Sequence, residues 1–223
     1  MEAVGDDIMH LGQTAKFLAE VFKLPEATPQ MVGRIMRENG LVAKGARGRN
    51  APHLTDVELA RFIIALMVSE GPASSVERLR FFGQLPLADS LINGVPKYDG
   101  PPPPVTFEGA FAKLLENVRE NSWEAGCEKS WQVDIDISYA NAAILTPLRP
   151  DLGVPSENHS FHQFETELDD DSVESPFPYL TGLERTVRIG FHTLFRISRA
   201  DKSEAELLEE IGIRDLEGQD DAR

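Results

Sequence analysis

Three polar side chains that can form paired hydrogen bonds recur at helical spacing early in the chain. Gln30, Arg34 and Arg37 stand at positions i, i+4 and i+7, so a helix would place all three on one face. Arginine pairs in this way with the edge of guanine and glutamine with the edge of adenine. We therefore predict that this face enters the major groove of double-stranded DNA, with Arg34 and Gln30 contacting base edges.

A short basic segment follows that helix. Residues 44–50 read Lys-Gly-Ala-Arg-Gly-Arg-Asn, and the stretch from Thr28 to Thr55 holds five basic residues against one acid, a local net charge of +4. A basic loop made flexible by glycine suits phosphates or the minor groove. The predicted DNA-binding residues are Thr28, Gln30, Arg34, Arg37, Lys44, Arg47, Arg49, Asn50 and His53.

Other groups of reactive side chains have simpler structural explanations. Asp134 and Asp136 could act as acid and base, but they alternate with apolar residues as the solvent-facing side of a strand does. His159, His162 and Glu165 have a spacing that metal ligands can have on a helix, yet their surroundings favour a strand edge. The glycine spacings of nucleotide-binding loops are absent from the sequence. We predict no enzyme activity, no catalytic residue, no metal and no cofactor.

Bulk composition limits the class of protein. The chain has 223 residues and a net charge of −15, and its single cysteine, Cys127, excludes an intrachain disulfide and a four-cysteine zinc site. The longest apolar run, Phe62 to Val68, is far shorter than the roughly 20 residues of a membrane helix. The acidic N-terminus lacks the basic start of a secretory signal. These features predict a cytoplasmic protein without a membrane partner.

Two short helices should position the polar face. Thr28-Pro29 predicts the start of the second, which should stop at Asn39-Gly40. Apolar residues spaced three or four apart predict a first helix that ends near Lys23: Ile8, Leu11, Ala15, Leu18 and Phe22.

Two capping boxes predict the helices that follow. Thr55 and Glu58 begin an amphipathic helix that runs up to Gly71-Pro72, and Ser74 and Glu77 begin a shorter one that ends near Phe82.

The order of these elements resembles the DNA-binding domain of the MerR-like winged-helix family over residues 28–70. Its second helix ends in an acidic residue and a Gly-Leu turn, here Glu38-Asn39-Gly40-Leu41, before a basic wing and a Thr-capped helix, here at Thr55. Ile35-Met36 replaces the usual aromatic pair, and the usual long coiled coil is missing. The basic segment and Pro52-His53-Leu54-Thr55 also look like small DNA-binding proteins of prophage or gene-transfer regions. The resemblance implies a winged helix-turn-helix that binds DNA.

Charge and proline content divide the rest of the chain. Residues 1–100 hold 11 basic and 12 acidic residues, net −1, which leaves 11 basic and 25 acidic, net −14, for residues 101–223. We predict a winged helix-turn-helix domain over 1–85, a proline-rich semi-rigid spacer over 86–104, an acidic α+β domain over 105–200, and a short helix and polar tail over 201–223.

The acidic region should contain a helix and an antiparallel sheet. Apolar residues from Phe107 to Val118 have helical spacing, and Val133, Ile135 and Ile137 alternate with polar residues as in a half-buried strand, with Ala142 to Leu145 as a candidate partner. Two further strand candidates are 161–168 and 186–198, the latter with helix as the alternative. A last helix should begin at Ser203.

We favour the interpretation that the protein is a sequence-specific DNA-binding regulator. Its fold class should be α+β. One short recognition helix reads few base pairs, so we expect a homodimer or higher homo-oligomer, with Phe62–Val68 and Phe107–Val118 as candidate contacts. The acidic domain would serve self-association or bind a protein partner. Two alternatives stay open: a DNA-recognition subunit of phage packaging, similar to a small terminase, and a protein-interaction module that does not bind DNA.

Overall fold

The computed structural model describes residues 10–43, 53–100, 102–121, 129–137, 141–146, 155–162, 186–199, 202 and 206–207. Within them the chain forms six α-helices and a six-stranded sheet, which confirms the α+β prediction. The helices are α1 (Leu11–Val21), α2 (Ala27–Glu38), α3 (Asp56–Val68), α4 (Ser75–Gly83), α5 (Phe107–Glu120) and α6 (Phe191–Ser198). The strands are β1 (Leu87–Ile92), β2 (Val95–Pro96), β3 (Gln132–Asp136), β4 (Asn141–Thr146), β5 (Glu157–Phe161) and β6 (Thr186–Gly190). None of these helices is long and apolar enough to cross a bilayer.

The sheet is antiparallel between all neighbours, in the order β2-β1-β5-β4-β3-β6. The predicted pairing of the alternating strand with residues 142–145 is confirmed, since Val133 lies opposite Ile144 and Ile135 opposite Ala142. All four of these side chains are buried, so this face of the sheet packs into the core while the alternate positions are half-buried.

Two strands lie inside the segment that the sequence predicts to be a spacer. β1 pairs with β5 along its length and turns back into β2 at Asn93-Gly94, where both residues have positive φ, 52° and 77°. Asn-Gly is the typical two-residue hairpin turn because both residues tolerate this backbone conformation. Instead of an extended spacer, residues 87–96 therefore form one edge of the sheet.

A central helix, α3, joins the two halves of the chain. Eight of its side chains are buried, and it packs against α2, α4 and α5. A helix that is apolar on nearly all sides must be surrounded by other elements. One continuous cluster of buried residues contains α1 to α6 and the sheet. The apolar segments predicted as dimer contacts, 62–68 and 107–118, contribute most of their apolar side chains to this cluster.

One predicted helix start and one predicted capping box were wrong. Helix α2 begins at Ala27, after Glu26, so Thr28 lies in the first turn and is not the N-cap. A proline is tolerated throughout that turn because its first backbone N–H groups have no partner within the helix. Ser74 makes no capping hydrogen bond to α4, because its hydroxyl donates to the Gly71 carbonyl oxygen (3.1 Å) within a short 3₁₀ turn. The box at Thr55 is confirmed.

The last strand candidates differ from the prediction. Residues 186–190 form β6, but 191–198 form α6, where Phe191, Leu194, Phe195 and Ile197 are buried. The alternative of a helix was therefore correct for that part. In the candidate strand at 161–168, Phe161 is the last residue of β5, which runs from Glu157, and His162 is not in a strand. Residues 163–168 and the predicted start of a helix at Ser203 lie outside the described residues.

Two arginines connect the C-terminal end of α5 to α3 and to the end of α6. Arg199, 3% exposed, donates to the carbonyl oxygens of Val118 (2.9 Å) and Asn121 (2.7 Å), which a helix end leaves without partners. Arg119 pairs with Asp56 at the start of α3 and donates to the Ser198 carbonyl oxygen (3.0 Å). The start of α3 is thus connected to the end of α6.

Candidate nucleic-acid interface

Helix α2 has one buried and one exposed face. Its buried residues are Pro29, Val32, Gly33 and Met36. Gln30, Arg34 and Arg37 are exposed, and Thr28 is half-buried in the first turn. The structure thus places the three predicted groove-facing side chains together on the open side of this helix.

Close packing at Gly33 holds α2 in place. A Cβ atom added there would lie 3.2 Å from Leu11 Cδ1 on α1 and 3.3 Å from Phe62 Cζ on α3. These distances are shorter than ordinary van der Waals contact, so the absence of a side chain lets α2 approach both neighbours. The exposed face of α2 is consequently supported by a rigid base of two helices.

Gln30 and Arg34, the two side chains predicted to contact base edges, each form a hydrogen bond with a glutamate one helical turn away. The Gln30 side-chain amide donates to Glu26 Oε1 (2.7 Å), and Arg34 Nε donates to Glu38 Oε1 (2.8 Å). The hydrogen bond to Glu38 and its negative charge raise the pKa of Arg34. Both members of the Arg34–Glu38 pair are more than half exposed, so solvent screens their attraction and the guanidinium can exchange this partner for another acceptor.

The basic segment itself, with Lys44, Arg47, Arg49 and Asn50, lies outside the described residues. The structure does describe Ala43, directly before this segment, and Thr55, shortly after it, and both bind the side chain of Glu58 on α3. The backbone N–H of Ala43 donates to Glu58 Oε1 (2.6 Å), and the backbone N–H of Thr55 donates to Oε2 (2.8 Å). We call this arrangement the Glu58 clasp. It holds the residues on either side of the basic segment, Ala43 and Thr55, at one carboxylate.

A histidine pair lies beside the clasp. His10, before α1, and His53, before α3, form an isolated antiparallel bridge, and their ring centroids lie 4.3 Å apart. His53 is exposed and His10 half-buried. The sequence analysis included His53 but missed His10, which has no signal in its local sequence because the bridge joins residues that lie 43 positions apart.

The turn that follows α2 is held by Arg61. This α3 residue donates to the carbonyl oxygen of Leu41 (3.2 Å) and to Glu108 Oε1 on α5 (2.8 Å). The hydrogen bond to Glu108 is the main reason why the pKa of Arg61 is raised. Because of these bonds the end of α2 is connected to the centre of the molecule.

Asp134, one of the two aspartates considered for acid–base chemistry, forms an ion pair across two neighbouring strands. Both oxygens of Asp134 accept hydrogen bonds from Arg188 on the neighbouring strand, at 2.9 and 2.8 Å. Gln132 donates to the same carboxylate, so Asp134 is already fully engaged as an acceptor. The pair is a cross-strand ion pair on the outer side of the sheet.

The histidines considered as metal ligands lie on β5 or directly after it and have different neighbours. His159 Nδ1 lies 2.8 Å from Ser90 Oγ, and His162 Nε2 lies 3.9 Å from Asp89 Oδ2. Burial, reinforced by the positive charge of Lys97, lowers the pKa of His159. Glu165 is outside the described residues, and those residues contain no cluster of three or more metal-ligating side chains.

No family model, curated protein or solved structure matches the chain. The exposed face of α2 and the Glu58 clasp are the features that bear on function.

Proposed function

We propose that the chain is a sequence-specific DNA-binding protein, a non-enzymatic transcriptional regulator that acts in the cytoplasm as a dimer. The observation that carries this proposal is the exposed face of α2, where Gln30, Arg34 and Arg37 are all open to solvent and the opposite face is buried. Glutamine and arginine are the residue types that read adenine and guanine through paired hydrogen bonds. A helix that is supported from behind and polar in front suits the major groove.

The neighbouring elements support a winged helix-turn-helix of the MerR-like type. In this proposal α1 and α2 are the first two helices, residues 44–52 are the wing, and α3 closes the unit. The Glu58 clasp supports this assignment because it holds the residues that flank the basic segment, Ala43 and Thr55, at the start of α3. Lys44, Arg47 and Arg49 would then bind phosphates or enter the minor groove.

The excess of acid in the rest of the chain affects how such a protein would bind. Residues 101–223 carry a net charge of −14, from 11 basic and 25 acidic residues, and phosphates would repel them. At physiological ionic strength this repulsion is screened over about 8 Å, so it weakens non-specific association more than a close, specific contact. We assign self-association or a protein partner to this acidic region. A dimer must use surfaces other than residues 62–68 and 107–118, whose apolar side chains lie largely in the core of one chain.

The test uses the full chain, because α3 and α5 share one core and a fragment that ended near residue 86 would expose it. Duplexes selected from a random pool would be measured by fluorescence anisotropy at several salt concentrations. Arg34→Ala should reduce the preference for the selected sequence about tenfold or more. Arg47→Ala should weaken binding to all sequences alike and reduce the slope of log affinity against log salt by about one unit.

Arg80→Ala is the matched control, since this arginine is exposed on α4 and should leave both quantities unchanged. The proposal of a sequence-specific protein fails if no sequence is enriched, and an affinity that does not depend on salt would exclude DNA binding altogether. Equal, sequence-independent losses for Arg34→Ala and Arg47→Ala would refute the division between base reading and phosphate binding.

A further inference from the structure

One apolar side chain on α2 is exposed where a polar one would be expected. Met31 is 46% exposed, directly after Gln30 and three residues before Arg34, so it lies beside Arg34 on the open side of the helix. The other large apolar residues that are exposed in the described part of the chain, Val57, Val95 and Tyr98, lie outside α2.

The charge of this face does not suit a phosphate backbone. Glu26 and Glu38 lie at the two ends of the stripe that also contains Gln30 and Arg34, and with Arg37 beside it the face carries two negative and two positive charges, so it has no excess of positive charge. A phosphate placed along the stripe would meet a carboxylate at either end. Base edges in the major groove carry no net charge, and they present an apolar group only where thymine exposes its 5-methyl group.

Resting on the proposed function, we infer that Met31 reads the 5-methyl group of a thymine in the recognised site. Arg34 and Gln30, which lie next to Met31 on the helix, bind polar base edges. Met31 makes the apolar contact with the thymine methyl group. The flexible, polarisable methionine side chain can adapt to such a contact. Thymine recognition is thus a further source of specificity on the same helix.

The experiment compares thymine with deoxyuridine, which lacks only the 5-methyl group. In the selected duplex each thymine would be replaced in turn, and the affinity of the full chain and of Met31→Ala would be measured by anisotropy. At one position the wild-type chain should bind about fourfold more weakly after replacement, the value of one apolar methyl contact. Met31→Ala should bind both duplexes equally.

Two controls make the result specific. Met31→Leu keeps an apolar side chain and should still distinguish thymine from deoxyuridine, whereas Val95→Ala, which removes an exposed apolar side chain on β2, should behave as wild type. Because Met31 is half open to solvent and alanine favours helix, Met31→Ala should fold normally, which its circular dichroism and urea unfolding would verify.

The two possible failures are distinguishable. If a preferred sequence is selected but every deoxyuridine replacement leaves wild-type affinity unchanged, or if Met31→Ala shows the same loss as wild type, thymine reading by Met31 is wrong while DNA binding stands. If no preferred sequence is selected, the proposed function itself is wrong.

Discussion

Replacing Glu58 should destabilise the protein more than its position in a helix would suggest. Its carboxylate accepts hydrogen bonds from the backbone N–H of Ala43, the backbone N–H of Thr55 and the Thr55 hydroxyl. The two backbone donors lie on opposite sides of the basic segment in the sequence. Glu58→Ala therefore removes a helix cap and the attachment of both ends at once.

The expected magnitude follows from the number of donors lost. All these bonds are at exposed atoms, so each backbone donor is counted at a net value of about 1 kcal/mol, and Glu58→Ala should lower the free energy of unfolding by about 2 kcal/mol. Glu58→Gln keeps one acceptor oxygen, but its amide nitrogen would face a donor. It should therefore cost about half as much, roughly 1 kcal/mol.

The chain contains a matched control for this measurement. Glu77 occupies the third position of α4, as Glu58 does in α3, but no capping box forms there. Both residues have the same helix propensity and the same relation to the helix dipole, so Glu77→Ala should change stability by less than about 0.5 kcal/mol. Urea unfolding followed by circular dichroism would measure all three variants. Equal losses for Glu58→Ala and Glu77→Ala would refute the clasp.

Two further predictions concern partly buried polar groups, Arg61 and His159. Arg61→Ala should lower the free energy of unfolding by about 2 kcal/mol, because it leaves the largely buried Glu108 carboxylate without its cationic partner. In urea unfolding, Arg61→Ala combined with Glu108→Gln should recover part of this loss. No recovery would contradict the role assigned to the Arg61–Glu108 ion pair. Since burial lowers the pKa of folded His159 below its unfolded value, the unfolded state binds more protons and stability should fall as the pH drops through about 6.5. His159→Gln should show a smaller fall than wild type in thermal unfolding between about pH 7.5 and 5.5, and identical profiles would exclude His159 as its source.

The helices were largely predictable because their signals are local. Thr55 and Glu58 predict the start of α3, and the spacing of apolar residues from Phe107 onward predicts α5. The strands depend more on distant partners. Residues 158–160 of β5 are Asn, His and Ser, which have little strand preference, and they form a strand because β1 and β4 pair with them on both sides. The hairpin between β1 and β2 did have a local signal, Asn93-Gly94.

The candidate site, like the fold, was predictable where its signal is local in the sequence and not where it depends on distant partners. Helical spacing predicts correctly that Gln30, Arg34 and Arg37 share an exposed face. The contacts that support this face are not readable from spacing, because the partner of Glu58 is a backbone group of Ala43. A backbone N–H is present at nearly every position, so only the folded chain selects which one binds.

The Glu58 clasp also affects how well the chain tolerates insertions and deletions between α2 and α3. Since Ala43 and Thr55 bind one carboxylate, the segment between them starts and ends at a single point of the fold. Doubling the length of a flexible loop with fixed ends costs only about 0.6 kcal/mol in chain entropy. Insertions and deletions between Ala43 and His53 should leave the core intact, because the buried Leu54 lies outside that stretch, so natural variants or grafted segments can exchange one basic segment for another without redesign of the helices around it.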